Sequence, residues 1–307
     1  MNLKDRIIRS TGKKAPFRLV LVDITNTMNE IGAKHGAQSY SLKLLAETTI
    51  SSIFLSSSLK MKGTVSVTAT FGGEISYAKA DTTPYISRKE DEESYYFVRA
   101  MIPQDDLQAI KADEPALIPQ NYQVVKLNEF GKRVHESVVQ AVSPSMGQNL
   151  ATYLYQSEQI LSAVGIEAQF NKQDPSKLDY AIGFYVEAFP EMEEKDTTTL
   201  EQVVLNLPKF AEMYDVQEKG GKTMVDELLY QFEGPYEIEV IKEFGAKAFC
   251  PCSKERTISS LAALPLADLK DLEKDGKDLE MVCDFCRNKY IVTMDDLREI
   301  IKERQGK

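Results

Sequence analysis

Residues 64–70, TVSVTAT, alternate apolar and polar positions without a break, the period of a strand with one buried face. FRLVLVDI (17–24) is rich in strand-forming residues and reads as a strand, as do YYFVRAMI (95–102), YQVVKLN (122–128), RVHESVVQAV (133–142), IEAQFN (166–171) and YAIGFYVEAFP (180–190). A turn at Gly72-Gly73 is expected to lead into a hairpin partner, EISYAKA (74–80). Helical stretches lie between the strands. One covers about Thr25–Lys34. A second opens at Ser41 as SLKLLAETTISSIFLSSSLK, whose small and hydroxylated residues suit close packing against a sheet. A third follows Ser143 or Ser145, either of which can cap it, and carries Leu150, Tyr153 and Leu154 on one side.

After Pro190 the period changes. Leu200, Val203, Val204, Leu207, Phe210 and Met213 recur at helical spacing, and so do Val225, Leu228, Leu229 and Phe232. Pro208 and Gly220-Gly221 interrupt the pattern. Helices this short depend on packing for their stability. Residues 191–242 carry 13 acidic and 5 basic side chains, most of the chain's net charge of −10. This is either an ordinary connector with a solvated acidic face or a metastable segment docked on its neighbours.

All four cysteines fall near the C-terminus, as Cys250-x-Cys252 and Cys283-x-x-Cys286, with thirty residues between the pairs. Two close pairs of thiols separated by a foldable spacer are what a tetrahedral S4 zinc site needs. Pro251 helps the C-x-C turn by fixing φ. CDFCRNKYI resembles a zinc knuckle on a hairpin, with LEMVC and KYIVT as its strands. Ser253 can cap a helix to about Leu264, Pro265 can start another that stops at Gly276, and Thr293 with Asp296 can open a last helix. The apolar set of this part is modest, including Leu261, Leu269, Ile291, Leu297 and Ile300. A unit this small is expected to need zinc as a staple. Lys254, Arg256, Arg287 and Lys289 flank the cysteines and are candidates to offset their charge.

Composition narrows the function. The acidic balance argues against a nucleic-acid partner, and residues 250–307 hold 11 basic and 12 acidic side chains. No apolar run reaches membrane-spanning length, and residues 1–16 contain no signal-type apolar segment, so a reducing cytoplasm is the expected setting. No nucleotide fingerprint, serine elbow or other catalytic set occurs, so no enzyme activity is expected. His35 and His135 stand away from any ligand pattern and read as structural or exposed.

FCPCSKER, the leucine-rich spacer, CDFCRNKY and the closing helix resemble the zinc-binding switch of the redox-regulated 33-kDa heat-shock chaperones. Three more stretches resemble the same family: LKLLAETTISSIFLSSSLK before a strand, the Y-x-x-Q-S-E-Q string of Tyr153–Gln159, and the glycine-containing strand that ends at Pro190. ILSAVG after that string and the stretch 78–93 depart from the family pattern.

The expected fold is α+β: an N-terminal antiparallel-rich sheet domain with packed helices (1–189), a metastable helical linker (190–242) and a small C-terminal zinc-binding redox-switch domain (243–307). The resemblance implies an ATP-independent holdase for unfolding client proteins under oxidative stress, often dimeric once oxidised, needing neither nucleotide, nucleic acid nor membrane. Zn²⁺ on Cys250, Cys252, Cys283 and Cys286 would be its cofactor. Oxidation is expected to give Cys250–Cys252 and Cys283–Cys286 disulfides, each thiol joining its close neighbour, as the resemblance also implies. Leu200, Val204, Leu207 and Phe210 are candidate client-binding residues. The alternative is a non-switching protein with a purely structural zinc site.

Overall fold

The computed structural model describes residues 4–59, 63–72, 76–87, 93–103 and 118–305. The Gly72-Gly73 turn lies partly outside them. The chain divides into two compact units, Met1–Ala248 and Phe249–Lys307. The boundary expected at 242/243 falls inside a strand, because β10 (Ile238–Ala248) continues across it.

Among the described residues of the first unit, ten strands form one sheet, in the order β7-β6-β3-β4-β5-β10-β1-β2-β9-β8. They are β1 (Arg6–Gly12), β2 (Phe17–Asp23), β3 (Gly63–Thr70), β4 (Tyr77–Tyr85), β5 (Tyr95–Met101), β6 (Asn121–Asn128), β7 (Arg133–Gln140), β8 (Ser162–Phe170), β9 (Leu178–Ala188) and β10. All pairings are antiparallel except β10 with β5. The antiparallel-rich α+β expectation holds. Two strands were not anticipated, β1 and β10, and they are neighbours at the centre of the sheet. In β10 the register slips at Ile241: Arg9 lies opposite Lys242 and Ser10 opposite Val240. That bulge breaks the alternation by which a strand is recognised.

Helix α1 is Thr25–His35 and α2 is Ser39–Ser57. Asp5 caps α1 from outside it, accepting from the backbone N–H of Asn26 (2.9 Å) and Thr27 (2.8 Å). Gln38 is the N-cap of α2, so Ser41 sits one turn inside the helix, and its hydroxyl accepts from Gln38 N–H. α2 is buried almost throughout and packs against β3, β4, β8 and β9. Several of its hydroxyls bond carbonyls of the same helix: Thr48 donates to Leu44 O (2.7 Å), Thr49 to Leu45 O (2.8 Å) and Ser51 to Glu47 O (3.0 Å), whereas Ser56 Oγ is buried without a partner among the described residues. Short side chains that bond their own backbone let the sheet approach closely. Ile50, Phe54, Val65, Val67, Tyr96 and Tyr185 belong to the core on this face.

One charged pair enters that core. Glu47 is 8% exposed at its side chain and pairs with Lys43 Nζ at 2.8 Å. Glu47 also accepts from Ala168 N–H (3.3 Å), and Lys43 donates to Ala168 O (3.0 Å). The pair therefore bonds the outward peptide groups of edge strand β8 as a further strand would.

Helix α3 (Met146–Glu158) is capped by Ser145, which accepts from Gln148 N–H, and ends at Gln159 in the left-handed region (φ 57°). The Tyr153–Gln159 string fastens this helix to the β6–β7 hairpin. Tyr153 donates to Glu158 (2.8 Å), Lys126 donates to the same carboxylate (2.5 Å), and Ser157 bonds Ser137 (2.7 Å). His135 bonds the Tyr153 hydroxyl (3.1 Å) and so has a structural place.

The opposite face of β1, β2 and β9 carries a second core. Ile8, Phe17, Leu19, Leu21, Ile182, Phe184 and Val186 point into it. Three helices cover it: α4 (Glu194–Leu205), α5 (Phe210–Glu218) and α6 (Met224–Tyr236). They contribute Leu200, Met213, Val225, Leu228 and Phe232, with Val204, Leu207 and Phe210 partly buried alongside. Phe210 meets Phe184 at 6.2 Å between ring centroids and Tyr214 meets Tyr180 at 5.4 Å. Arg6 of β1 holds Asp226 of α6 and Glu243 of β10, both at 2.7 Å. Each helix is short, and their burial here is what sustains them.

The second unit contains α7 (Lys254–Leu261), α8 (Leu266–Lys274), the hairpin β11 (Leu279–Val282) and β12 (Lys289–Val292), and α9 (Met294–Gln305). Its expected caps are present: Ser253 accepts from Arg256 N–H, Gly276 takes φ 64°, and Thr293 and Asp296 bond reciprocally. Its core is Leu261, Leu269, Val292, Leu297, Ile300 and Ile301. Ile291 was expected inside but is 47% exposed, because its neighbour Val292 is the residue of β12 that faces inward.

Replacing Lys43 by Met leaves the Glu47 carboxylate buried without its counter-charge and should cost about 3–5 kcal/mol. The double variant Lys43→Met/Glu47→Leu should recover most of that in denaturant titrations. Asp23 accepts from Thr25 N–H and Oγ1 beside a cleft lined by Tyr180, Tyr214 and Thr223. Burial raises its carboxyl from 3.8 to about 6, against the opposing hydrogen bonds from Thr25. Stability contributed by this group is full below 3.8 and is lost as pH rises through about 6. Asp23→Asn keeps the acceptor and removes the charge. It should flatten that fall in melting temperature and stabilise the protein at pH 7 by roughly 1–3 kcal/mol.

Candidate metal centre

The cysteines sit at two turns. Ala248 ends β10, and Cys250-Pro251-Cys252 leads directly into the Ser253 cap of α7. Cys283 and Cys286 sit on the turn between β11 and β12. There Cys283 N–H donates to Asn288 O (2.9 Å) and Arg287 N–H to Cys283 O (2.8 Å), with Arg287 at φ 60°. These two hydrogen bonds and the left-handed residue shape the turn that carries Cys283 and Cys286 on the β11–β12 hairpin.

Folding brings all four sulfurs together. Their Sγ atoms lie within 4.8 Å of one another, with Cys250–Cys283 at 3.7 Å and Cys252–Cys286 at 3.2 Å. No disulfide joins them. Among the described residues this is the one group of at least three Cys, His, Asp or Glu placed to hold a metal ion. For a metal–sulfur bond of about 2.3 Å, tetrahedral sulfurs are separated by about 3.7 Å, so the cluster has the right dimensions. Four sulfurs with no carboxylate or imidazole form a soft donor set, compatible with zinc. Burial pushes the Cys286 thiol up, and the crowding of Cys252, Cys283 and Cys250 adds to it. A bound cation would reverse that preference at Cys286.

The flanking cations are less available than expected. Lys254 pairs with Asp296 (2.7 Å), Lys289 with Glu280 (2.8 Å) and Arg287 approaches Asp284 (3.9 Å). The Lys254 ammonium, with bonds from Thr293, holds the Asp296 carboxyl down to about 2. These cations serve local carboxylates, so any offset of thiolate charge is shared. The sequence reading also missed a polar neighbour of the cluster. Tyr290 of β12 places its hydroxyl 3.0 Å from Cys252 Sγ, a contact between residues 38 apart that no spacing rule reveals.

A family model described as Hsp33 protein matches residues 5–293. The chain belongs to the Hsp33 family. It is 28% identical to a 33 kDa chaperonin of Streptococcus mutans and 26% identical to one of Streptococcus gordonii, in each case over 98% of this chain and 99% of the relative. The fold resembles the crystal structure of a 33 kDa chaperonin from Thermotoga maritima, with a TM-score of 0.77 and 21% identity, covering 99% of this chain and all of that one. The relatives carry the name chaperonin. Among the described residues no helix is long and apolar enough to cross a membrane.

Elemental analysis of protein purified under reducing conditions should find one zinc per chain, and iron or no metal would overturn the zinc assignment. Serine at any one of Cys250, Cys252, Cys283 or Cys286 should weaken zinc binding sharply in chelator competition, because a neutral hydroxyl does not replace a thiolate.

Proposed function

We propose that this protein is a redox-regulated, ATP-independent holdase whose four cysteines form the switch. The observation that carries the reading is the convergence of Cys250, Cys252, Cys283 and Cys286 within 4.8 Å in a member of the Hsp33 family. Zinc, when bound, would hold four thiolates, offset half of their charge and cross-link the two turns. The cysteines do the rest. A thiolate attacks hydrogen peroxide: an S–O bond forms, the O–O bond breaks and hydroxide leaves. The second thiol of the pair then displaces water, forming the disulfide, so each pair gives up two electrons. The bonded sulfurs close to about 2.05 Å and cease to be effective ligands. We assign the pairs as Cys250–Cys252 and Cys283–Cys286.

Energetics make this a switch. Structural zinc contributes roughly 10–16 kcal/mol to sites of this kind, against about 5–15 kcal/mol for the whole stability of a domain. The second unit has six buried apolar residues in its core and little to hold it once the cross-link goes. Disulfides inside each short turn restrain little chain. Cys250 follows the end of β10 by two residues, so loss of order there reaches the strand that α4–α6 lead into. The segment 190–242 would then loosen as a metastable linker between the domains 1–189 and 243–307. It would expose Leu200, Val204, Leu207 and Phe210 together with the sheet face beneath them, a surface suited to unfolding clients. Its acidic side would keep the opened form, expected as a dimer, soluble. A reducing cytoplasm suits the resting thiols.

Peroxide with mild heating should convert the reduced, metal-loaded protein from a poor to an effective suppressor of client aggregation, without nucleotide. Peptide mapping should find the two within-pair disulfides. Hydrogen exchange should rise in 190–242 and 249–305 while β2 and β9 stay protected. Metal release with unchanged protection and unchanged aggregation would refute the switch and leave a static zinc site.

A further inference from the structure

We propose that Tyr290 sets the oxidation threshold of the cysteine cluster by hydrogen-bonding Cys252 Sγ, which makes it a positioning residue for the redox step. The inference rests on the redox reading above and goes beyond it by naming what restrains one of the thiols.

The Tyr290 hydroxyl lies 3.0 Å from Cys252 Sγ. Its backbone is fixed by the β11–β12 pairing, where Tyr290 stands opposite Met281. The contact therefore joins the C-x-C turn to the hairpin that carries the other two cysteines. Either group could donate between a phenol and a thiol. A thiolate ligand has no proton, so in the metal-binding state the phenol is the donor. A charge-assisted bond of this kind draws electron density from sulfur. Peroxide oxidation begins with attack by sulfur on oxygen, so the bonded thiolate is the poorer nucleophile. Tyr290 and Cys252 are both partly exposed, so burial alone does not shield this sulfur from a small hydroperoxide. The hydrogen bond supplies a restraint that packing does not.

The test uses the full reduced, zinc-loaded chain and Tyr290→Phe, which keeps the ring and removes only the hydroxyl. Hydrogen peroxide is added, metal release is followed with a zinc-responsive dye, and sulfenic acids are trapped with dimedone and located by mass spectrometry. The variant should release metal about tenfold faster, the order expected when one charge-assisted bond leaves a reacting sulfur. The share of trapped sulfenic acid at Cys252 should rise relative to the other three cysteines. The affinity of the reduced protein for zinc, read by chelator competition, should change less than the rate. An unchanged rate overturns the proposal. A faster rate with an unchanged distribution of label also overturns it, because general loosening would act on all four thiols. So does a variant that no longer holds zinc stoichiometrically, since the hydroxyl would then be a structural requirement. If the parent protein releases no metal under peroxide, the redox reading fails together with the proposal. If the parent releases metal and the variant matches it, the role of Tyr290 alone fails.

Discussion

The apolar outer face of β1, β2 and β9 cannot be left to water, and much of the first unit follows from that. Phe17, Leu19, Leu21, Ile182, Phe184 and Val186 lie on a face that α1–α3 do not cover. Fully burying each such side chain contributes roughly 1.5–3 kcal/mol. α4, α5 and α6 supply the cover, and in return the sheet stabilises helices too short to persist in water. Neither partner is well formed without the other.

Charge works against this cover. The 191–242 segment carries 13 acids and 5 bases, and few of the acids find cations: Glu193 meets Lys195, Asp226 meets Arg6, Glu237 meets Lys14, and Glu227 meets Lys222 only at 4.0 Å. The outer side of the helices repels itself while the inner side adheres. Arg6 is the main ionic tie to the sheet, and its two carboxylates, Glu243 foremost, hold its guanidinium firmly protonated. Apolar contact therefore holds the docked state while the charge on its outer side opposes it.

Legibility in the sequence depended on whether a residue's neighbours are local. β3 was readable because one face meets α2 and the other is more open, so Val65, Val67 and Ala69 alternate with hydroxyls. β1 was not, because it lies between two packed layers: Ile7 enters the core around α2 and Ile8 the core under α4–α6, so adjacent residues are both apolar. β10 was hidden by the Ile241 bulge. At the metal centre the four cysteines announced themselves because ligand pairs are set by tight turns. The Tyr290 contact and the diversion of Lys254 to Asp296 were invisible, since both depend on how a distant strand or helix closes over the first turn.

The cover over the second core is an excursion from the sheet. β9 ends at Ala188 and β10 begins at Ile238, and both strands belong to the same sheet. If α4–α6 let go while those strands hold, the roughly fifty residues between them become a closed loop and not a free tail. Such a loop gains less entropy on opening than a chain with one end loose. Its segments also stay at high local concentration over the face they have left. Release is then shallow and return is fast, because the departed helices stay tethered at both ends above the seat they left.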